Sequence, residues 1–143
     1  KAAQEALGPN KKIDLFEPAR RDKKLSVKQI IENLKTLIDE GYFSHISLSE
    51  VNANTIREAA AVHPIAAVEV EYSPFAMEIE HNDVLQACKE NDIAVIAYSP
   101  VGRGMFGSIK KREDLAEDDH RRHMPRFSAE NFPSNIKLTE GEF

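Results

Sequence analysis

Apolar and polar positions along the chain alternate between two periods. Residues 13–18, Ile13-Asp14-Leu15-Phe16-Glu17-Pro18, read as a short strand closed by proline. From Ser26 the spacing changes. Ile30, Ile31, Leu34, Leu37 and Ile38 recur every three or four residues, which predicts an amphipathic helix with Gly41 just past its end. Residues 43–48 predict the next strand. A helix capped by Asn52 or Asn54 follows, with Ile56, Ala59, Ala60 and Val62 inward and His63-Pro64 ending it. Residues 66–72 predict a third strand, and Asn82 or Asp83 starts a helix with Val84, Leu85, Ala87 and Cys88 on its inner side. Residues 93–98, Ile93-Ala94-Val95-Ile96-Ala97-Tyr98, are almost continuously apolar, the pattern of a parallel strand covered on both faces. The charged run from Lys110 to Arg122 reads as a fourth, surface helix. Residues 127–143 read as loop or tail. Residues 2–7 are helix formers stopped by Gly8-Pro9, so the chain is expected to open on the end of a helix.

Strand followed by helix, four times, is the signature of an α/β parallel sheet. A doubly wound sheet would place a glycine-rich turn after its first strand. The sequence there is Glu17-Pro18-Ala19-Arg20-Arg21, without glycine. A (β/α)8 barrel requires roughly 250 residues, and four of its units fit in 143.

Composition removes several function classes. Nineteen basic against 24 acidic side chains leave a net charge of −5, a poor balance for nucleic-acid or anionic-membrane binding. No apolar run approaches the ~20 residues of a membrane helix. The single cysteine, Cys88, excludes an internal disulfide and a multi-cysteine metal site, and it is expected to be a small core side chain. A soluble, cytoplasmic protein is the expectation.

In either parallel architecture function gathers at the C-terminal ends of the strands. Those ends hold Glu17 to Arg20, Ser49-Glu50, Glu69 to Ser73, and Tyr98 to Gly104. Tyr98 is placed to stack on a flat ring, Gly102 and Gly104 to let backbone approach a ligand, and Arg103 to pair with a phosphate. The structural alternative is a tight turn with a solvated arginine. Glu69 and Glu71 share one strand face, an arrangement open to acid/base work in a hydrolase or to neutralisation by partners. His120 and His123 lack a convergent third ligand in the sequence, so a solvated charged helix is the plainer reading. His45, within a strand, is expected to be a satisfied core or interface histidine.

Three ordered segments carry a resemblance. Gly41-Tyr42-Phe43-Ser44-His45-Ile46-Ser47-Leu48-Ser49-Glu50-Val51 resembles G-K-I-R-x-I-G-L-S-N/E. Val68-Glu69-Val70-Glu71-Tyr72-Ser73 resembles V-Q-x-E-Y-S, and Tyr98-Ser99-Pro100-Val101-Gly102-Arg103-Gly104 resembles Y-S-P-L-G-R-G. These are patterns of the aldo-keto reductases. The Ser-Glu-Val and His-Pro-Ile segments are most similar to the fungal pyridoxal reductase branch. The resemblance implies half of a TIM barrel, from its fourth to its seventh strand. Residues 1–110 would be the partial barrel, and 111–143 a surface helix and irregular tail of the same domain. It implies an oxidoreductase using NADP to reduce an aldehyde or ketone, most simply pyridoxal, in a longer protein.

By the same resemblance Tyr98 stacks under the nicotinamide. Ser99, Pro100, Val101, Gly102 and Arg103 lie along the diphosphate, and Ser49 bonds the carboxamide. Glu50 and Glu69 stand where amides are usual. A carboxylate accepts but does not donate. Either the pair binds nicotinamide less well, or one carboxyl is protonated. The family's catalytic Asp, Tyr and Lys fall upstream of residue 1, and Ala19 aligns with its histidine, so no catalytic residue is assigned. A non-catalytic interaction or regulatory protein on this scaffold is the alternative, and a carboxylate-pair hydrolase the third. Four strands taken from a barrel leave edges at residues 13–18 and 93–98, so self-association or pairing with the missing half is expected.

Overall fold

The computed structural model describes residues 2–141. They form two compact units, one of residues 2–72 and 76–98, the other of residues 73–75 and 99–141.

The first unit is a parallel sheet with helices between its strands: α1 (Ala2–Leu7), β1 (Ile13–Phe16), α2 (Val27–Asp39), β2 (Phe43–Ser49), α3 (Ala53–Ala60), β3 (Ile65–Glu71), α4 (Val84–Glu90) and β4 (Ala94–Tyr98). The strands lie in sequence order and every pairing is parallel. A doubly wound sheet reverses direction at a switch point, and this one does not.

Local chemistry sets the element ends. Ser26 and Gln29 exchange bonds across the start of α2: Gln29 N–H donates to Ser26 Oγ at 3.2 Å and Ser26 N–H to Gln29 Oε1 at 3.1 Å. At the other end Gly41 takes φ 80°, Gly41 N–H donates to the Ile38 carbonyl and Tyr42 N–H to that of Leu37, closing the helix. Asn52 caps α3 by accepting from Thr55 N–H at 2.9 Å. Ile31 and Leu34 of α2, Ile56 and Ala59 of α3, and Val84, Ala87 and Cys88 of α4 are buried with Ile46, Leu48, Val68 and Val70 of the sheet.

A bulge interrupts the β2–β3 pairing. Ile46 is level with Ile65, but the next residue, Ser47, is level with Ala67. Ala66 is therefore the extra residue, and it is exposed.

The second unit has little regular structure. After a set of single 3-10 turns it ends in α5 (Phe132–Thr139). Its core is Met105, Ile109, Leu115, Phe127 and Phe132, with Phe75, Met124 and Ile136 packed on it.

Four expectations are corrected. The run Lys110–Arg122 is not a helix: turns at Arg112–Asp114 and His120–His123 replace it. The Asp114 carboxylate accepts from Lys110 and Lys111 N–H, and Asp119 from Arg121 N–H. Side chains bonded to nearby amides compete with helix formation. Residues 127–141 are not merely a loop or tail, because Phe127 and Phe132 are buried and α5 runs from Phe132 to Thr139; the last two positions of that expectation lie outside the described residues. β4 is not covered on both faces. It is a sheet edge among the described residues, with Ala94, Ile96 and Ala97 exposed. His45 is exposed in this chain, which removes the core half of the core-or-interface expectation.

Candidate functional site

The C-terminal strand ends of the first unit carry a row of polar side chains. Ser49, the last residue of β2, is level with Glu69 on β3, which is level with Ile96 on β4; Glu71 is level with Tyr98. Ser49 is buried, and Arg20 Nη1 donates to its Oγ at 3.0 Å. The hydroxyl keeps its own proton to give. One row earlier, Ser47 Oγ donates to Glu17 Oε2. Strand alternation puts Ser47 and Ser49 on one face of β2, and Ala67, Glu69 and Glu71 on one face of β3. Glu69, Glu71 and Tyr98 are half-buried there, and Tyr72 N–H donates to the Tyr98 carbonyl at 3.3 Å.

Glu50 behaves differently from its neighbours. Its φ is 50°, a left-handed conformation uncommon for a residue with a Cβ. Its N–H donates to the Glu69 carbonyl at 3.0 Å, and its Oε1 accepts from Glu71 N–H at 2.9 Å. One of its carboxylate oxygens thus caps β3. The cavity beside Ser49, lined also by Leu48, Val51 and Thr55, is about 30 Å³, enough for a water and too small for a ligand.

In the second unit the stretch from Ser99 to Gly104 is a tight double turn. Ser99, Gly102, Arg103 and Gly104 all have positive φ, at 53°, 59°, 58° and 92°. Gly102 N–H donates to the Ser99 carbonyl and Gly104 N–H to the Val101 carbonyl. The glycines have local causes. A Cβ on Gly102 would lie 2.8 Å from the Phe75 ring, and one on Gly104 would lie 2.9 Å from Arg121 Nη1. Pro100 and Val101 are exposed.

Ser99 and Arg103 line an open polar depression of about 610 Å³ with Ala116, Asp118, Asp119, His120 and Arg121. Arg121 Nη2 donates to Asp119 Oδ2 at 2.6 Å, and its Nε lies 3.0 and 3.1 Å from the two carboxylate oxygens. The bonded guanidinium, together with the Arg121 N–H, holds the Asp119 carboxyl down at about 2. Arg103 and Ser99 offer a cation and a hydroxyl, a donor set that suits anionic oxygens.

Each residue expected at the site is therefore at a strand end or in the turn that follows β4. Ser49 and Glu69 are brought level with each other; Glu50 is turned back onto β3. Arg20, Glu17, Asp119 and Arg121 belong to these surroundings and were not singled out for these partners. The Arg20-Arg21 pair after a short strand and the run Asp118-Asp119-His120-Arg121-Arg122 were the signals available. Among the described residues no group of three or more His, Cys, Asp or Glu side chains converges as a metal site.

Comparison with known proteins bears on the same residues. Residues 2–140 match the model of the Aldo/keto reductase family. Over 129 residues the chain is 45% identical to aldo-keto reductase yakc (NADP(+)) of Schizosaccharomyces pombe and 42% identical to aldo-keto reductase str7 of Strobilurus tenacellus, covering 88% of this chain each time. It spans 38% of the length of both relatives. Among solved structures, the glycerol dehydrogenase AKR11B4 from Gluconobacter oxydans superposes with a TM-score of 0.81 at 23% identity, over 91% of this chain and 40% of that one. The thermostable aldo-keto reductase Tm1743 superposes at 0.61 and 18%, over 90% and 55%. The four parallel strands are thus part of a (β/α)8 barrel.

Proposed function

Because the chain belongs to the aldo/keto reductase family, we propose that it is part of an NADP-dependent oxidoreductase that reduces a small aldehyde, with pyridoxal as the first substrate to test. The observation that carries this is the end of β4. Tyr98 stands level with Glu71 at the strand terminus and runs directly into a turn with four positive φ values and an arginine.

NADPH, when bound, supplies the hydride. The residues present suit the group. Tyr98 offers a ring for the nicotinamide face. Buried Ser49, already accepting from Arg20, keeps its own proton as a donor for the carboxamide oxygen. Glu69 accepts from the carboxamide NH2, and Glu50 has one carboxylate oxygen not used on Glu71 N–H. Ser99, Pro100, Val101, Gly102 and Arg103 take the diphosphate, with Arg103 as the cation. Ala19, where the family has histidine, supplies no proton. The chain's part in turnover is positioning.

The choice of pyridoxal rests on the Ser49-Glu50-Val51 and His63-Pro64-Ile65 segments. Among aldehydes given to the full-length protein, pyridoxal has the highest kcat/KM, and an indifferent panel removes it as substrate. Titration of NADPH fluorescence with the 143-residue chain gives a saturable change. No change at millimolar NADPH overturns cofactor binding by these residues. The chain alone does not reduce pyridoxal, and robust reduction overturns the positioning role.

A non-catalytic interaction protein is the second reading, favoured by Ala19. It predicts cofactor binding without turnover in the full-length protein. The free cysteine, buried Cys88, supports a cytoplasmic setting, checked by fractionation. Unpaired edges at β1 and β4 among the described residues support self-association or pairing with the rest of a barrel. A stable monomer of the 143-residue chain by light scattering counts against that.

A further inference from the structure

We infer that Arg121 is a positioning residue: locked by Asp119, it holds the Arg103 carbonyl and thereby fixes the Ser99–Arg103 turn in the shape that receives an anionic ligand. The identity of that ligand as the cofactor's diphosphate rests on the function proposed above; the clamp itself does not.

Two residues of the turn that carry a Cβ, Ser99 and Arg103, sit in the left-handed region. Each such residue is unfavourable and persists only where its surroundings hold it. For Arg103 the holding bond is visible. Arg121 Nη1 donates to its carbonyl at 2.9 Å. The rest of the guanidinium is committed to one carboxylate, through Nε and Nη2 to Asp119, and Asp119 also accepts from the Arg121 N–H at 2.9 Å. The guanidinium carbon lies 5.9 Å from the centre of the buried Phe127 ring.

The planar fork of arginine satisfies a carboxylate on one edge and a carbonyl on another. Lysine, a point charge on a flexible stem, does not do both. Gly104 is matched to this arrangement, since a Cβ there would meet Arg121 Nη1 at 2.9 Å. The glycine that completes the turn and the arginine that clamps it are one packing unit, seventeen positions apart in the chain.

The test uses the 143-residue chain with R121K, D119N and the double variant. The first readout needs no cofactor. Amide exchange at Gly104, Met105, Phe106 and Gly107 accelerates in R121K and D119N, while amides of β2 and β3 keep their protection. The second readout is NADPH affinity, with inorganic pyrophosphate as competitor. R121K weakens NADPH about tenfold, the loss expected from one charge-assisted hydrogen bond, and pyrophosphate competes less well in proportion. D119N acts through Arg121, so the double variant is no weaker than the worse single one.

Unchanged exchange in R121K, or additive losses in the double variant, overturns the clamp. If R121K disrupts the whole second unit, D119N carries the test, because it keeps the shape of the side chain while removing its charge and turning one of the two oxygens that accept from Arg121 into a donating NH2. If the wild-type chain fails to bind NADPH, the functional proposal falls and the exchange result still decides the clamp. Altered exchange with unaltered NADPH affinity overturns the positioning role.

Discussion

The two units solve the same problem by different means. In the first, backbone carbonyls are taken up by strand ladders and helix turns, and apolar side chains from three helices and the sheet close over one face. In the second, single turns take up part of the carbonyls and arginines take up others. Arg112 Nε donates to Phe127 O, Arg121 Nη1 to Arg103 O, and Arg122 to the carbonyls of Leu115 and Ala116. A few buried side chains, Phe127 foremost, hold this segment together. Irregular backbone buried against a small core needs donors that local turns do not supply, and long planar cations supply them. A loop that must present unusual φ values is thus held by side chains as well as by its own turns, while the sheet that carries Ser49 and Glu69 is held by main chain.

The largest expected break in this contrast is Phe127→Ala. Removing a fully buried aromatic side chain costs about 3–5 kcal/mol. The effect falls on the second unit: proteolysis opens sites around residues 110–130 while the amides of β2 and β3 stay protected. Simultaneous loss of both would show that the units unfold together. Next comes Cys88→Ser in the first unit. Cys88 is 1% exposed, its thiol pushed up by burial, and an unpartnered hydroxyl there costs about 1–3 kcal/mol. Thiol labelling of the wild type checks the same point, because it proceeds only as fast as the first unit opens.

Acid sharpens the comparison further. Asp119 sits at about 2 because of Arg121, and Asp114 is lowered by the amides of Lys110 and Lys111. Carboxyls held lower in the folded chain than in the unfolded one stabilise it above their ordinary value near 3.8. That contribution is lost as pH falls from there through about 2. Exchange protection of residues 103–107 is expected to fall in this window ahead of β3, and equal loss would remove the distinction. The smallest effect is Lys35→Ala on α2. Its partner Asp39 is 2.8 Å away but both side chains are at least half exposed, so denaturation shifts by about 0.2–0.5 kcal/mol.

Legibility followed the same division. The strands, α2 and the caps at Ser26 and Asn52 were readable because each depends on spacings within a few residues. The placement of Ser49 and Glu69 was readable because parallel strands deliver their C-terminal ends to one rim. The course of residues 110–127 was not. Asp114 bonded to amides three and four residues back mimics helical spacing while opposing a helix. The bond from Arg121 to Arg103 spans eighteen positions without periodicity. Glu50 was read as a ligand for an amide, and its bond to Glu71 N–H depends on a strand register that composition does not express. Ile96 is apolar on the pattern of a covered strand and is exposed in this chain, since no strand lies beyond β4 among the described residues.

The extra residue in β3 has a wider meaning. Side chains on a strand change face at every step, so Ile65 and Val68, three apart, would point to opposite faces of a regular strand. Both belong to the apolar layer, and the slip at Ala66 permits it. Ala66 acts as a phase shifter between two reading frames of one strand. Upstream, the frame is set by the hydrophobic layer; downstream, the odd positions Glu69 and Glu71 are released to the rim. Excising Ala66 would leave every residue of the rim in the sequence and put Glu69 and Glu71 out of phase with Ile65, so a single small, solvent-facing residue without a functional group separates the requirements of folding from those of chemistry.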